Sequence, residues 1–442
     1  ISMPISHPFW RVTSRALRRA VPLSLALGLS VSAAAIVSPA QAQVVAEQSL
    51  TLEQAIAAAI DADPGLRAAG AGVDAALGSL RQARARANPE LGVEVENFNG
   101  RDELRGFDGA EATCTLSQQV DLSGQRRARI RVAERELHGA ELDRVVRGLD
   151  LIRDVQAAYH EALAAEERVA IERERLAKAE ALNVSVARRV NAARDPLMAG
   201  ARAEASLAEA RIALARAEAE ARSARQRLAS LTGLPEEFGL TPSDFFLPEV
   251  SDHDHTLSED DPDLARAAAE RDRASATVSL ERSTAWAGPD LTFGYRRFED
   301  RDGDGAFVAG FSIPLGVFDR NRGAIERARA EERRAELELE ARRRAISREH
   351  ATLQRAIETD AQAIRSIEQD VIPQAERALT LARDGYDRGA FSYLDVLEAQ
   401  RALTDARQRR IEALTTYHSN EASLDRLTAR FVEAMPDREI HQ

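Results

Sequence analysis

Two carboxylates, Asp395 and Glu398, follow a short Gly-Ala-Phe-Ser break in sequence that otherwise favours helix. Residues three apart lie on one face of a helix, so both carboxylates project from the same side of the segment after the break. If symmetry-related copies brought several of them together, the carboxylates would repel one another and attract cations. In a single copy they would simply favour the positive end of the helix dipole. The residues alone favour this local role, because the first turn of a helix prefers Asp and Glu.

Other residues of metal-ligand type stand in patterns that favour structural roles. "DRDGDG" at 300–305 begins like a calcium-binding loop, but position twelve is Phe311 instead of Glu, and the stretch lies between two predicted strands. "SDHDH" at 251–255 indicates a solvated acidic linker. We therefore expect no metal site and no cofactor. Four isolated histidines are expected to face solvent or lie between helices: His138, His160, His350 and His418.

Motifs for catalysis and for nucleic-acid binding are missing from the sequence. It contains no HExxH, Gly-x-Ser-x-Gly, Walker or dinucleotide-binding glycine pattern, so we expect no enzyme activity. The formal net charge of −12 disfavours nucleic acid as a partner. The lone cysteine, Cys114, lies at an apolar strand position and is interpreted as apolar packing.

The N-terminal segment has the pattern of a secretory signal peptide. Four arginines precede an apolar run at 20–37 that ends in Ala-Gln-Ala, so we expect 1–42 to be removed, with a transmembrane anchor as the alternative. The rest of the chain has no apolar run long enough for a membrane-spanning helix, so membrane insertion would have to use β-strands. Aromatic residues make up 5% and charged residues 30%, which is typical of long helices and coiled coils.

The chain contains an internal duplication. "DPGLRAA" at Asp63 recurs as "DPDLARA" at Asp261, and "LSQQVDLSGQRRARI" at Leu116 recurs as "FSIPLGVFDRNRGAI" at Phe311. We therefore expect each structural element of the first half to recur in the second half. The predicted organisation is a first repeat at 43–232, an equatorial linker at 233–262, a second repeat at 263–432 and a C-terminal tail at 433–442.

Each repeat predicts helix, β-hairpin, long helix and helix in the same order. Alternation of apolar and polar residues indicates the strands, and apolar residues three or four apart indicate the helices. A helix of 65 residues is ~100 Å long, which puts the strands at one end and the helix breaks at the other. Pro373 is expected to kink the second long helix. The predicted ranges are helix 51–87, hairpin 90–121 and helices 124–190 and 198–232, then hairpin 290–315 and helices 323–388 and 394–431.

Four strands of about ten residues suit a tilted membrane span but cannot close a barrel. Open strand edges are not tolerated in a bilayer, so the chain must oligomerise. Two copies would supply eight strands and three would supply twelve. Because eight strands leave little bore beyond side chains, a conduit favours three copies.

Three stretches, "TLEQAIAAAIDADPGLRAA", "LSQQVDLSGQRRARI" and "YDRGAFSYLDVLEAQRALTDAR", resemble the TolC-like outer-membrane efflux proteins. "GQRRARI" is similar to the branch paired with heavy-metal pumps of the cobalt, zinc and cadmium type. The resemblance implies a mainly α fold with a small β part: a homotrimer with a twelve-stranded barrel among outer-membrane lipid and a long helical periplasmic tunnel. It further implies a passive exit duct for heavy-metal cations, docked to a periplasmic adaptor (membrane fusion protein) and an inner-membrane pump of the resistance-nodulation-division type.

The same resemblance assigns roles to residues around the second helix break. Asp395 and Glu398 match positions where the family places carboxylate rings that narrow the periplasmic entrance. Tyr386 matches a position that ties neighbouring helices together, and Gly389 supplies the permissive backbone of the turn.

The helix breaks of both repeats are the expected adaptor contacts, namely Asp195, Pro196, Gly389 and Ser392. The first repeat departs from the family pattern, because Ala199 replaces the carboxylate and Asp195-Pro196 replaces a Gly-rich turn. Only the carboxylates of the second repeat are therefore expected to form rings.

Two alternatives stay open at this point. A duct of this family could export drugs or proteins instead of metals, because a wide duct makes few specific contacts with its cargo. A periplasmic coiled-coil adaptor would explain the long helices, but it would not explain four amphipathic strands placed symmetrically in the duplication.

Overall fold

The computed structural model describes residues 49–107, 109–242, 245–246, 261–286, 288–301 and 304–434. The expected signal peptide at 1–42 and the "SDHDH" stretch lie outside the described residues, as do parts of the "DRDGDG" loop, the linker and the C-terminal tail. The elements in chain order are β1 (Ser49–Leu50), α1 (Leu52–Ala62), α2 (Pro64–Arg84), β2 (Glu90–Glu96), β3 (Glu111–Gln119), α3 (Gln125–Asn191), α4 (Leu197–Thr232), β4 (Gly239–Leu240), α5 (Pro262–Thr284), β5 (Asp290–Phe298), β6 (Gly305–Ser312), α6 (Arg322–Ser366), α7 (Ile372–Asp387) and α8 (Tyr393–Leu427).

The predicted opening helix at 51–87 is two helices, α1 and α2, which meet at Asp63. The side chain of Asp63 accepts a hydrogen bond from the backbone N–H of Leu66, and Pro64 occupies the first turn of α2. An aspartate cap followed by proline starts a new helix, since proline lacks the N–H that the preceding helix would use. The second copy of this motif, at Asp261, starts α5 in the same way.

The four longer strands form one antiparallel sheet in the order β2-β3-β5-β6. The hairpins of the two repeats lie side by side, because β3 pairs with β5 from Glu111 opposite Phe298 to Gln119 opposite Asp290. Strands β2 and β6 are the edges, so each leaves one side without a β-partner within the described residues.

One face of this sheet is apolar and exposed. Cys114, for example, pairs with Val93 on one side and with Tyr295 on the other. The opposite face is polar, and there Arg296 forms ion pairs with Glu111 at 2.9 Å and Glu96 at 3.2 Å. The sheet therefore presents hydrocarbon on one side and charge on the other, as the alternation predicts. The exposed apolar face contains Leu91, Val93, Val95, Cys114, Leu116, Leu291, Phe293, Tyr295, Phe307 and Phe311.

Long helices make up most of the rest of the described chain. Helix α3 has 67 residues and is therefore ~100 Å long. Its counterpart in the second repeat is interrupted between α6 and α7 by a π-helical turn at Ile367–Val371. Pro373 lies at the start of α7, where its missing N–H loosens the hydrogen-bond ladder of the preceding turn. None of the described helices combines the length and apolar character needed to cross a membrane.

The main hydrophobic core lies where α1 and the ends of α4 and α8 pack around the middle of α3. Val155 and Ala162 of α3 and Leu414 of α8 are fully buried there. The hydroxyl of Tyr159 lies 2.8 Å from the carbonyl oxygens of Leu50 and Thr241, beside the parallel pair β1-β4. The start of the first repeat and the start of the linker thus meet halfway along α3.

Candidate functional site at the helical tips

The turn between α7 and α8 depends on two glycines. Gly389 has φ +79° with open space around it, so the backbone conformation alone favours glycine there. The backbone N–H groups of Ala390 and Phe391 donate to the carbonyl oxygen of Gly385, which closes the turn. A Cβ on Gly385 would lie 2.0 Å from the Phe391 ring. Sequence reasoning singled out Gly389 and missed Gly385, which allows the ring to fold back.

The turn between α3 and α4 has the same shape without glycine. Ala193 takes φ +49°, a left-handed conformation that costs a residue with a Cβ about 1–2 kcal/mol. The backbone N–H groups of Arg194 and Asp195 donate to the carbonyl oxygen of Arg189, and Pro196 immediately precedes α4. Asp195-Pro196 therefore replaces the Gly-rich turn without changing its course.

The two turns are joined by three residues, Arg189, Asp195 and Tyr386, here called the tip cluster. The Tyr386 hydroxyl donates to Oδ2 of Asp195 at 2.6 Å. Arg189 donates to both carboxylate oxygens of Asp195 at 3.1 and 3.3 Å, and to the carbonyl oxygen of Tyr386 at 3.0 Å. Its guanidinium carbon also lies 4.4 Å from the centre of the Tyr386 ring. Two predicted site residues thus meet, through an arginine that the sequence did not single out.

The tip cluster has fixed protonation states at neutral pH. Burial and the neighbouring Asp195 raise the pKa of Tyr386 well above its usual range, so its hydroxyl stays a donor. Burial works against ionisation of Asp195, but the hydrogen bonds from Tyr386 and Arg189 outweigh it and lower the pKa of the carboxyl. The result is an ionised acceptor held by a neutral donor and a cationic donor.

The predicted ring carboxylates begin the helix after the second turn. Asp395 accepts hydrogen bonds from the backbone N–H and the hydroxyl of Ser392, both at 2.7 Å, and Ser392 in turn accepts from the backbone N–H of Asp395. This reciprocal capping box lowers the pKa of Asp395, chiefly through the Ser392 hydroxyl. Asp395 and Glu398 are both exposed. Asp395 thus has a local capping role, and its outer surface stays free for long-range electrostatics.

Two of the isolated histidines lie between helices near the main core. The rings of His160 in α3 and His418 in α8 stack with their centres 4.2 Å apart. Nε2 of His418 lies 3.0 Å from the carbonyl oxygen of Phe245, and Nδ1 lies 3.1 Å from a Glu421 oxygen. Burial, followed by the nearby His418, lowers the pKa of His160 to about 3, so His160 is neutral. Within the described ranges, no group of three or more His, Cys, Asp or Glu residues could hold a metal ion.

Both halves of the duplicated chain match one known protein family. Residues 55–234 and 255–430 match the family model described as outer membrane efflux protein. The chain belongs to this family. It is therefore an efflux protein of the outer membrane, and the predicted family resemblance is confirmed.

Curated relatives cover most of the chain. It is 32% identical over 388 residues to the cobalt-zinc-cadmium resistance protein CzcC of Cupriavidus metallidurans, covering 86% of this chain and 90% of that protein. It is 30% identical over 360 residues to the nickel-cobalt-cadmium resistance protein NccC of Alcaligenes xylosoxydans xylosoxydans, covering 78% and 80%. It is also 29% identical over 353 residues to the pyoverdine export outer membrane protein OpmQ of Pseudomonas aeruginosa, covering 77% and 73%.

Solved structures share the fold at low sequence identity. CusC aligns with a TM-score of 0.71 at 20% identity, over 85% of this chain and 91% of that one. The outer membrane protein VceC of Vibrio cholerae aligns with a TM-score of 0.70 at 21% identity, over 85% and 96%. These likenesses confirm the predicted TolC-like fold.

Proposed function

We propose that this protein forms, as a homotrimer, the passive exit duct of a tripartite efflux system for heavy-metal cations. An inner-membrane pump of the resistance-nodulation-division type would supply the energy, and a periplasmic adaptor would connect that pump to the helical tips. The protein itself would supply a water-filled path across the periplasm and the outer membrane.

The observation that carries the proposal is the sheet, which has an exposed apolar face and two edges without a β-partner in the described part of the chain. Its strands of 7 to 9 residues are ~25–30 Å long, close to the hydrocarbon thickness of an outer membrane. Backbone groups at β2 and β6 would be unsatisfied in lipid, so each edge needs the opposite edge of another copy. Three copies supply twelve strands, which is enough for a bore wider than side chains.

Heavy-metal cargo is supported by the names of two relatives that together cover cobalt, zinc, cadmium and nickel resistance. The pyoverdine export relative favours an organic molecule as the second candidate cargo. Membership of the outer membrane efflux family decides against the periplasmic adaptor alternative.

At the entrance, we infer that the tip cluster holds the two turns of one protomer together, while Asp395 and Glu398 of three protomers form two acidic rings. Close carboxylates repel one another and attract cations, so such rings would both weaken the closed state and favour cations at the mouth. Adaptor contact at Asp195, Pro196, Gly389 and Ser392 would move the turns apart and open the mouth. Pro196, Gly389 and Ser392 are exposed, as such a contact requires.

Mass and conductance of the purified protein test the duct. Native mass spectrometry in detergent should give a trimer, and a planar bilayer should show discrete, cation-preferring steps. Asp395→Asn and Glu398→Gln should each lower the cation preference, whereas Glu349→Gln, an exposed charge loss far along α6, should leave it unchanged. A monomer without conductance would refute the duct. Equal effects of all three variants would refute the rings.

Cargo is tested separately in cells that lack their own outer-membrane efflux component. Expression of this chain with its genomic adaptor and pump should raise the tolerated concentrations of zinc, cobalt or cadmium. Unchanged metal tolerance together with restored siderophore release would assign the organic cargo instead.

A further inference from the structure

A basic cavity of about 670 Å³ lies at the junction between the sheet and the helices. It is bounded by the end of α2, the end of β3 and the start of α3, and this junction cavity is lined by four arginines: Arg86, Arg126, Arg127 and Arg129. One carboxylate, Asp121, also lines it. A cavity of this size is within the range that binds small ligands.

Two of the four arginines of the junction cavity are held by neutral backbone oxygens. Arg126 donates to the carbonyl oxygen of Arg84 at 3.0 and 2.5 Å, and Arg129 donates to that of Ala85 at 3.2 Å. These acceptors are neutral, so they fix the side chains without cancelling charge. Across the part of the chain that the structure describes, no carboxylate forms an ion pair with any of the four arginines. The Asp121 carboxylate accepts from two backbone N–H groups at the start of α3.

The junction cavity lies beside the end of the apolar face of the sheet, because Gln118 lines the cavity and pairs with Leu291 of that face. Arg86 lies four residues before β2, whose Leu91 is 72% exposed on that face. On the other side, Gly288 lines the cavity, and nearby Trp286 is 78% exposed. Exposed tryptophan beside arginine at the end of a membrane strand is typical of the depth of lipid headgroups. With the sheet inserted in the outer membrane as proposed above, the cavity lies where the bilayer surface meets the periplasm.

We propose that the junction cavity binds the phosphate-bearing headgroup of an anionic phospholipid from the periplasmic leaflet of the outer membrane. Guanidinium groups match phosphate oxygens in pairs, and four of them around one cavity offer more positive charge than Asp121 removes. The acyl chains would follow the apolar face past Leu91. A free phosphate anion would satisfy the same arginines, but the position of the cavity beside the apolar face favours the lipid.

Fluorescence of Trp286 provides the measurement. Trp10 is the other tryptophan of the sequence and lies in the segment 1–42 that is expected to be removed, so Trp286 is the single reporter in the mature protein. The protein is placed in phosphatidylcholine nanodiscs with increasing fractions of phosphatidylglycerol whose acyl chains carry bromine, a contact quencher. We expect quenching to saturate at a lower fraction of brominated phosphatidylglycerol than of brominated phosphatidylcholine.

Charge-removing and charge-keeping variants test the assignment. Arg86→Gln with Arg127→Gln should raise the half-saturating fraction of phosphatidylglycerol about 30-fold, because each basic residue near an anionic surface contributes a factor of about five. Arg86→Lys with Arg127→Lys should keep most of the preference, which separates charge from folding. Arg343→Gln with Arg348→Gln, the matched control in the middle of α6, should not change the preference.

Three outcomes would overturn the proposal. Equal quenching by the two lipids would mean that the cavity selects no headgroup. An equal loss in the α6 control would mean that net charge, and not this cavity, draws the lipid. Complete protection from quenching by inorganic phosphate at matched ionic strength, without preference between the lipids, would assign the site to a free anion.

Discussion

Removal of one oxygen atom from the tip cluster should destabilise the contact between the two turns by about 1.5 kcal/mol. Tyr386→Phe deletes the hydroxyl that donates to Asp195 at 2.6 Å. A hydrogen bond to a charged group contributes about 1.5–3 kcal/mol. Tyr386 is 2% exposed but the Asp195 side chain is 11% exposed, so water recovers part of the loss and we take the lower end, about 1.5 kcal/mol. Local opening of the tips should then become about tenfold more frequent.

Hydrogen exchange is the suitable assay, because a trimeric membrane protein does not unfold in one reversible step. The backbone N–H groups of Gly389 and Ala390 donate within the second turn and report its opening. Their exchange should accelerate about tenfold in Tyr386→Phe. In an Asp195→Ala background the same substitution should change exchange by less than about twofold, because its acceptor is already missing.

Tyr393→Phe is the matched control. Its hydroxyl hydrogen-bonds to Ser206, a neutral partner on α4, so its effect on tip exchange should not depend on the residue at position 195. If Tyr386→Phe accelerates exchange equally with Asp195 and with Ala at that position, the hydrogen bond does not hold the turns together.

Three further predictions concern the same turns. Gly389→Ala should destabilise the second turn by about 1–2 kcal/mol, whereas Ala193→Gly should stabilise the first turn by up to about 1 kcal/mol, since both positions have a left-handed backbone. Hydrogen exchange at the tips measures both changes. A change of stability in the same direction for the two variants would contradict this prediction. The pKa of Asp195 is lowered in the folded protein, so its ionised carboxylate contributes stability above its ordinary pKa of about 3.9, and this stability is lost as pH falls through the lowered pKa. Hydrogen exchange at the tips, corrected for the pH dependence of exchange in an unfolded chain, should be constant from pH 7 to about pH 5 and should rise below about pH 4. Asp195→Asn should abolish this rise. Gly385→Ala should cost about 1–3 kcal/mol through contact with the Phe391 ring, and adding Phe391→Ala should recover most of it; no recovery would place the strain elsewhere.

Most of the fold could be predicted because its determinants are local and occur twice. The alternation around Val93 and Phe293 gives strand faces directly, and the apolar spacing in α3 gives a helix that needs no long-range information. The break at Asp63 had its own local motif, an aspartate before proline, which the continuous helix predicted at 51–87 overlooked. The position of the irregularity near Pro373 was predictable from proline, but its form as a π-helical turn was not.

The tip cluster could be predicted only in part, because it joins residues almost 200 positions apart in the chain. Tyr386 and Asp195 were each singled out, but nothing in the sequence pairs them. Arg189 looks like any exposed arginine near a helix C-terminus. Its role follows from the packing of one repeat on the other, which brings the Tyr386 carbonyl oxygen within hydrogen-bond distance of the Arg189 side chain that also binds Asp195.

The two edges of the sheet that lack a partner strand among the described residues also determine how the protein can enter a membrane. A single chain in hydrocarbon would expose the backbone groups of β2 and β6 at several kcal/mol each. Solitary insertion is therefore uphill, and the free energy turns favourable only when the edges of separate chains meet. Insertion should consequently depend on a high power of protomer concentration. Below a threshold of synthesis, the chain should accumulate in the periplasm as uninserted protomers with their apolar sheet faces open to chaperones.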